Sequence, residues 1–107
     1  MGFFDFLIQP DINQGVTEFR QQEGAILLDV RTPQEYRDGC IPGSKNVPLQ
    51  TIDKVRSIAE NKDTKLFVYC YSGARSKQAA SALRQKGYTN VTNIGGIAAY
   101  RGKGESV

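Results

Sequence analysis

The chain contains no histidine, no tryptophan, one methionine and two cysteines among its 107 residues. Without histidine there is no imidazole general base, no His-ligated metal and no Ser–His or Cys–His dyad. Two cysteines, Cys40 and Cys70, cannot build a Cys₄ zinc site or a disulfide-dense scaffold. No apolar run approaches the ~20 residues of a membrane span. The apolar opening, residues 3–8, is interrupted by Asp5, has no Lys or Arg before it and lacks a small-residue cleavage site, so it does not read as a signal peptide. Gly2 would suit N-myristoylation, but Phe6 stands where that motif wants Ser or Thr. These absences point to a reducing cytoplasm, where both cysteines are expected as thiols.

An excess of charge is also missing. Fourteen Lys and Arg against eleven Asp and Glu leave a net charge of +3, and the basic residues are scattered from Arg20 to Lys103. That pattern reads as a solvated surface, with no nucleic-acid face and no membrane-binding patch. What is present suits one folded domain: 39% hydrophobic and 9% aromatic residues in a chain of ordinary domain length. The expected organisation is an N-terminal segment over residues 1–11, a domain over 12–104 and a tail over 105–107.

Helix-like and strand-like segments alternate along the chain. Asp11 can cap a helix that carries Ile12, Val16 and Phe19 on one face and ends near Gly24, although Gly15 weakens it. Residues 25–30 form a short continuous apolar run, the pattern of a strand buried on both faces. Thr32-Pro33-Gln34-Glu35 reads as a capping box with proline at the first helical position, and that helix stops at Gly39. After the turn at Pro42-Gly43, a brief extended stretch covers residues 45–48. A helix is expected to follow, with Ile52, Val55, Ile58 and Ala59 inward. Residues 65–69 are a second buried strand leading into Cys70. Residues 76–86 form a helix stopped by Gly87, residues 90–94 a short strand, and residues 97–100 a last short helix. The class is α/β, with a parallel sheet covered on both faces.

The chemistry concentrates in Tyr69-Cys70-Tyr71-Ser72-Gly73-Ala74-Arg75-Ser76. A cysteine at the carboxyl end of a strand, followed by a Gly-containing turn and a helix, sits where open α/β sheets bind ligands. Turn amides can converge on an anion, and the helix behind adds unpaired N–H donors. Such surroundings favour thiolate over thiol, and Arg75 adds a permanent charge. A buried apolar role for Cys70 is the plainer alternative. Four residues separate Cys70 from Arg75, one fewer than in the Cys-x₅-Arg loop of cysteine phosphatases. The shorter cradle suits one sulfur atom better than a phosphoryl group.

Three stretches together resemble the rhodanese (thiosulfate sulfurtransferase) family. Residues 28–36 (LDVRTPQEY) and 39–48 (GCIPGSKNVP) are similar to its N-terminal signature, and residues 70–76 (CYSGARS) to its active-site loop. Gly95-Gly96 followed by Tyr100 resembles its C-terminal signature. The resemblance implies a single domain with a parallel sheet of about five strands. It implies sulfur transfer by a ping-pong route without metal or cofactor. Cys70 would be the nucleophile that accepts a sulfane sulfur from thiosulfate or another persulfide donor and passes it to cyanide or a thiol. The amides of Tyr71, Ser72, Gly73, Ala74, Arg75 and Ser76 would cradle the persulfide, and Arg75 would bind a small anionic donor. The acceptor would be a thiol or a protein.

Three positions depart from the family pattern. Cys40 replaces the usual His and is either a packed substitute or a second thiol that meets the Cys70 persulfide. Tyr100 replaces the more usual Trp. Tyr71 stands where many thiosulfate-using members carry a basic residue, which favours a persulfide donor. Asp29 and Arg31 either rim the site or brace the strand-to-helix corner, with Arg31 paired to Glu35 or Asp29. Other functions on the same scaffold are a non-catalytic binding module, a phosphatase or arsenate reductase, and a Cys40–Cys70 redox pair.

Overall fold

A computed structural model describes residues 9–102; the apolar opening and the last five residues lie outside the described residues. The elements run α1 (Ile12–Gln21), β1 (Ile26–Asp29), α2 (Pro33–Asp38), β2 (Ser44–Asn46), a 3₁₀ segment (Leu49–Ser57), β3 (Leu66–Cys70), α3 (Ala74–Gln85), β4 (Val91–Gly96) and a 3₁₀ turn (Ile97–Ala99). The sheet is wholly parallel, in the order β2-β1-β3-β4. Its four strands among the described residues compare with the expected total of about five. Among the described residues, no helix is long and apolar enough to cross a membrane.

The side chains of successive strand residues point to opposite faces, and this divides the core in two. Leu28, Val30, Val68 and Cys70 pack with Val55, Ala79, Leu83 and Tyr88 on the face covered by α3 and the 3₁₀ segment. Leu27, Phe67 and Tyr69 pack with Ile12, Val16, Ile41 and Ile94 on the α1 face. The neighbours Tyr69 and Cys70 therefore serve different layers. All five residues of β3 are buried, as a strand paired on both edges and covered on both faces requires.

Most element starts follow the local chemistry. The Asp11 side chain accepts from the amides of Asn13 and Gln14 at the head of α1. Thr32 and Glu35 form the full capping box at the head of α2. Gly15, which lowers helix propensity, is there for packing: a Cβ on it would stand 2.4 Å from Cβ and Cγ2 of Ile94, so its absence lets α1 settle on β4.

Two expectations are corrected. The stretch that was expected to be an α-helix after Pro48 is a 3₁₀ segment, kinked at Thr51 (φ −123°, ψ 37°). Pro48 at its N-cap offers no side-chain bond, and the β-branched Thr51, Ile52 and Val55 are weak helix formers. Ile52 and Val55 are nonetheless buried, so the inward face survives the change of helix type. The helix after Cys70 begins at Ala74, two positions before the expected Ser76, because Gly73 takes a left-handed conformation (φ 106°) that turns the strand directly into it.

The β1 strand is followed by β2 on one side and, after the crossover, by β3 on the other. The carboxyl ends of β1 and β3 thus form the switch point where open parallel sheets bind ligands. Cys70 is the last residue of β3.

Candidate active site

Cys70 is 1% exposed. Its Sγ accepts from the Gly73 amide at 3.0 Å and lies 3.4 Å from Ser76 Oγ. Burial pushes the thiol upward, but hydrogen bonds from the Ser76 hydroxyl and from the amides of Ser76, Gly73 and Ser72 outweigh it. The net effect holds Cys70 below the ordinary thiol value. A sulfur buried among donors is thereby prepared to carry negative charge.

The loop keeps this shape because its neighbours are glycines. A Cβ on Gly96 would stand 2.1 Å from the Tyr71 carbonyl oxygen, so only glycine lets the loop lie on the end of β4. That same carbonyl accepts from the Ala98 amide at 3.0 Å, which fastens the loop to the final 3₁₀ turn. The Tyr71 side chain points outward and is 55% exposed. A cleft of about 1020 Å³ borders residues 71–74 and is also lined by Lys77, Asn93 and Arg101.

Arg75 is held by Glu35. Its two terminal nitrogens bond the two carboxylate oxygens at 2.7 and 3.0 Å, a bidentate pair from α3 to α2. Glu35 also accepts from the Thr32 amide at 3.0 Å. The Arg75 bond, aided by Thr32 against the opposing effect of burial, lowers the Glu35 carboxyl to about 2. Arg75 is raised by the same bond, and the charge of Cys70 also favours its protonated form. It thus lies within electrostatic reach of the sulfur while its fork of donors engages a carboxylate.

Asp29 and Arg31 form a buried pair at the end of β1. Arg31 Nη2 meets Asp29 Oδ2 at 2.6 Å and the Gly39 carbonyl at 2.7 Å, while the Arg31 amide donates to Asp29 Oδ1 at 2.9 Å. These bonds fix the corner from β1 to the end of α2. Cys40 is buried (2% exposed), and the hydroxyl of Tyr36, four residues before it, donates to the Ser44 carbonyl at 2.6 Å. Both cysteines are free thiols. The residue after Cys40, Ile41, donates its amide to the Tyr69 hydroxyl at 3.1 Å. The polar contact of the neighbouring Tyr69 is thus on the opposite layer from the Cys70 sulfur.

Two contributors were not singled out in the sequence. Glu35 is legible as a helix cap and as a local partner for Arg31, but Arg31 pairs with Asp29 and the partner of Glu35, Arg75, lies forty residues on. Asn93 sits in an unremarkable strand, yet its Oδ1 accepts from Ser76 Oγ at 2.7 Å and from the Gly95 amide at 3.0 Å. Among the described residues, no cluster of His, Cys, Asp and Glu could hold a metal.

The rhodanese-like domain model matches residues 14–103. The chain belongs to the rhodanese-like domain family. It is 43% identical over 79 residues to a sulfurtransferase of Allochromatium vinosum, covering 73% of each chain. It is 35% identical over 71 residues to the thiosulfate sulfurtransferase PspE of Escherichia coli, covering 65% of this chain and 68% of that one. A solved structure described as rhodanese with anions from E. coli superposes with a TM-score of 0.73 at 30% identity, covering 78% of this chain and 99% of that one.

Proposed function

We propose that the protein is a rhodanese-type sulfurtransferase that carries sulfane sulfur as a persulfide on Cys70. The observation that carries this reading is the Cys70 sulfur, buried at the end of the central strand and ringed by the Gly73 amide and the Ser76 hydroxyl. Membership of the rhodanese-like family, with relatives named as sulfurtransferases, supports it.

In the first half-reaction the Cys70 thiolate attacks the outer sulfur of a donor. With thiosulfate, the S–S bond breaks and its electron pair leaves with sulfite, and a new S–S bond forms to Sγ. In the second, a thiolate or cyanide attacks the outer sulfur and Sγ departs with the bonding pair. Cys70 is held below the ordinary thiol value and attacks as its thiolate, and the leaving group is a stabilised thiolate, so neither step requires an imidazole base. The loop amides and the Ser76 hydroxyl stabilise Sγ whenever it is anionic, in the manner of an oxyanion hole.

The donor that suits this site is a persulfide and not thiosulfate. Arg75 spends its bidentate face on Glu35, and Tyr71 places no cation after the nucleophile. A persulfide bears less charge than thiosulfate and depends less on a free guanidinium. Two free thiols suit a reducing cytoplasm.

Intact-mass measurement after incubation with thiosulfate, and separately with an organic persulfide, tests the reading. The expected result is a gain of one sulfur atom that cyanide removes and that Cys70→Ser abolishes. A protein that gains sulfur from neither donor is not a sulfurtransferase of this kind, and a binding module becomes the better reading.

A further inference from the structure

Ser76 Oγ has one proton and four neighbours that could share it. Asn93 Oδ1 lies at 2.7 Å, the Gly73 carbonyl at 3.1 Å, and the Gly95 carbonyl and Cys70 Sγ at 3.4 Å. Ser76 is fully buried, so water does not settle the competition. The amide of Asn93 is oriented independently, because the Gly95 N–H needs the same oxygen at 3.0 Å.

When Cys70 is a thiol, its S–H donates to Ser76 Oγ and the hydroxyl donates onward to Asn93, its shortest contact. Each polar group in that chain is satisfied. When Cys70 is a thiolate it has no proton to give, and the Ser76 hydroxyl is the side-chain donor beside it. The hydroxyl must then turn from Asn93 to the sulfur. Asn93 is not orphaned by the turn, since its oxygen keeps the Gly95 amide.

We propose that Asn93 is a positioning residue that holds the Ser76 proton while Cys70 carries hydrogen or sulfur and yields it to Sγ when the thiolate forms. Its catalytic consequence rests on the persulfide reading above. As the acceptor bonds to the outer sulfur, the bond from that sulfur to Sγ breaks and its electron pair returns to Sγ. The Ser76 proton swings from Oδ1 to Sγ without leaving Oγ, so no external oxidant, reductant or base enters the step. Asn93 thus sets how readily Cys70 departs, by how strongly it competes for one hydrogen.

Apart from the carboxylate that Asn93→Asp introduces, the charged groups around the sulfur are the same in every variant that tests this. They are Arg75 with its partner Glu35 between α3 and α2, the Asp29–Arg31 pair at the end of β1, and Lys77 in the first turn of α3. Asp11, at the head of α1, lines the adjoining cleft. The glycines of β4 beside the loop, Gly95 and Gly96, add no charge.

The test is the pH dependence of Cys70 alkylation by iodoacetamide, with Cys40→Ala as the background so that one thiol reports. Asn93→Leu removes the competing acceptor and is expected to lower the midpoint. Asn93→Asp strengthens that acceptor and adds charge, and is expected to raise it. Each shift should be about one pH unit, a tenfold change in thiolate fraction below the midpoint. Adding Ser76→Ala should abolish the effect of Asn93→Leu, because the hydroxyl that links the two is gone. Midpoints that stay put, that move the same way in both variants, or that shift in the leucine variant without Ser76 would overturn the proposal. If Asn93→Leu does not fold by circular dichroism, Asn93→Asp decides, and an unchanged or lowered midpoint refutes it. Alkylation uses no sulfur donor, so this result is independent of the mass measurement that tests the persulfide.

Discussion

Arg75 on α3 and Glu35 on α2 meet through two N–H···O bonds of 2.7 and 3.0 Å, beside the loop that follows Cys70. The pair ties the loop that follows β3 to the helix that follows β1. It also occupies the cation that the sequence offers most plainly for binding an anionic donor.

Glu35→Gln should therefore release Arg75. Glutamine still serves a capping box, so α2 is expected to keep its start. With the carboxylate gone, the guanidinium can turn to an anionic donor. The KM for thiosulfate should fall roughly three- to tenfold, the range of one added charge-assisted hydrogen bond, with kcat within about twofold. A rise in KM would mean that the pair serves to hold the loop in shape.

Acid should probe the same pair. The Glu35 carboxyl is lowered to about 2 from the ordinary 4.5. A carboxylate lowered by folding contributes stability that is present above its unfolded pKa and is lost as pH falls through the folded one. Melting temperature should accordingly decline between about pH 4.5 and 2 in the wild type. The slope should be shallower in Glu35→Gln. The pair is one-third exposed, so the difference should shrink in high salt.

Two glycine substitutions should separate stability from activity. Gly15→Ala drives a methyl to 2.4 Å from the Ile94 side chain. It should cost about 1–3 kcal/mol by overpacking, read by urea denaturation, with alkylation of Cys70 unchanged. Gly96→Ala drives a methyl to 2.1 Å from the Tyr71 carbonyl, which is backbone and cannot swing aside. The loop must move, and sulfur loading measured by intact mass should drop more than tenfold even where the protein stays folded.

Tyr71→Arg places a cation directly after the nucleophile. Thiosulfate KM is expected to fall roughly five- to tenfold, the effect of about 1 kcal/mol from a new charged contact. Turnover with an organic persulfide, which bears less charge than thiosulfate, should change less. Equal improvement with both donors would point to a change in loop shape and away from charge.

Cys40→Ala should leave turnover and loading unchanged, and mild oxidation of the wild type should yield no intramolecular disulfide in non-reducing mass analysis. Cys40 is buried and its neighbour Ile41 is bonded to the layer of Tyr69. A disulfide on oxidation would instead make Cys40 a resolving thiol.

Local chemistry made much of this architecture legible. The Thr32–Glu35 capping box, the Asp11 cap and the continuous apolar strands each announce themselves within a few residues. So does the strand that runs into Cys70 and its glycine turn. Relationships between distant segments were harder to read. Gly15 looks like a helix weakness until Ile94 is seen against it, seventy-nine positions later. Glu35 satisfies a local motif so completely that nothing hints at Arg75. Asn93 acts on the sulfur only through Ser76, and neither hydrogen bond leaves a mark in spacing or periodicity. The kinked 3₁₀ segment was missed because its inward apolar spacing suits an α-helix equally well.

The two-layer division of β3 makes the location of the Cys70 thiol a question of odd and even. Leu66, Val68 and Cys70 belong to one face, Phe67 and Tyr69 to the other. One residue inserted or deleted within the strand would exchange them, sending the thiol toward α1 and a phenol into the cradle. A two-residue change would restore the faces at the cost of length. The chain can therefore vary freely in the loops before Leu66, but within the strand itself the count to Cys70 is fixed.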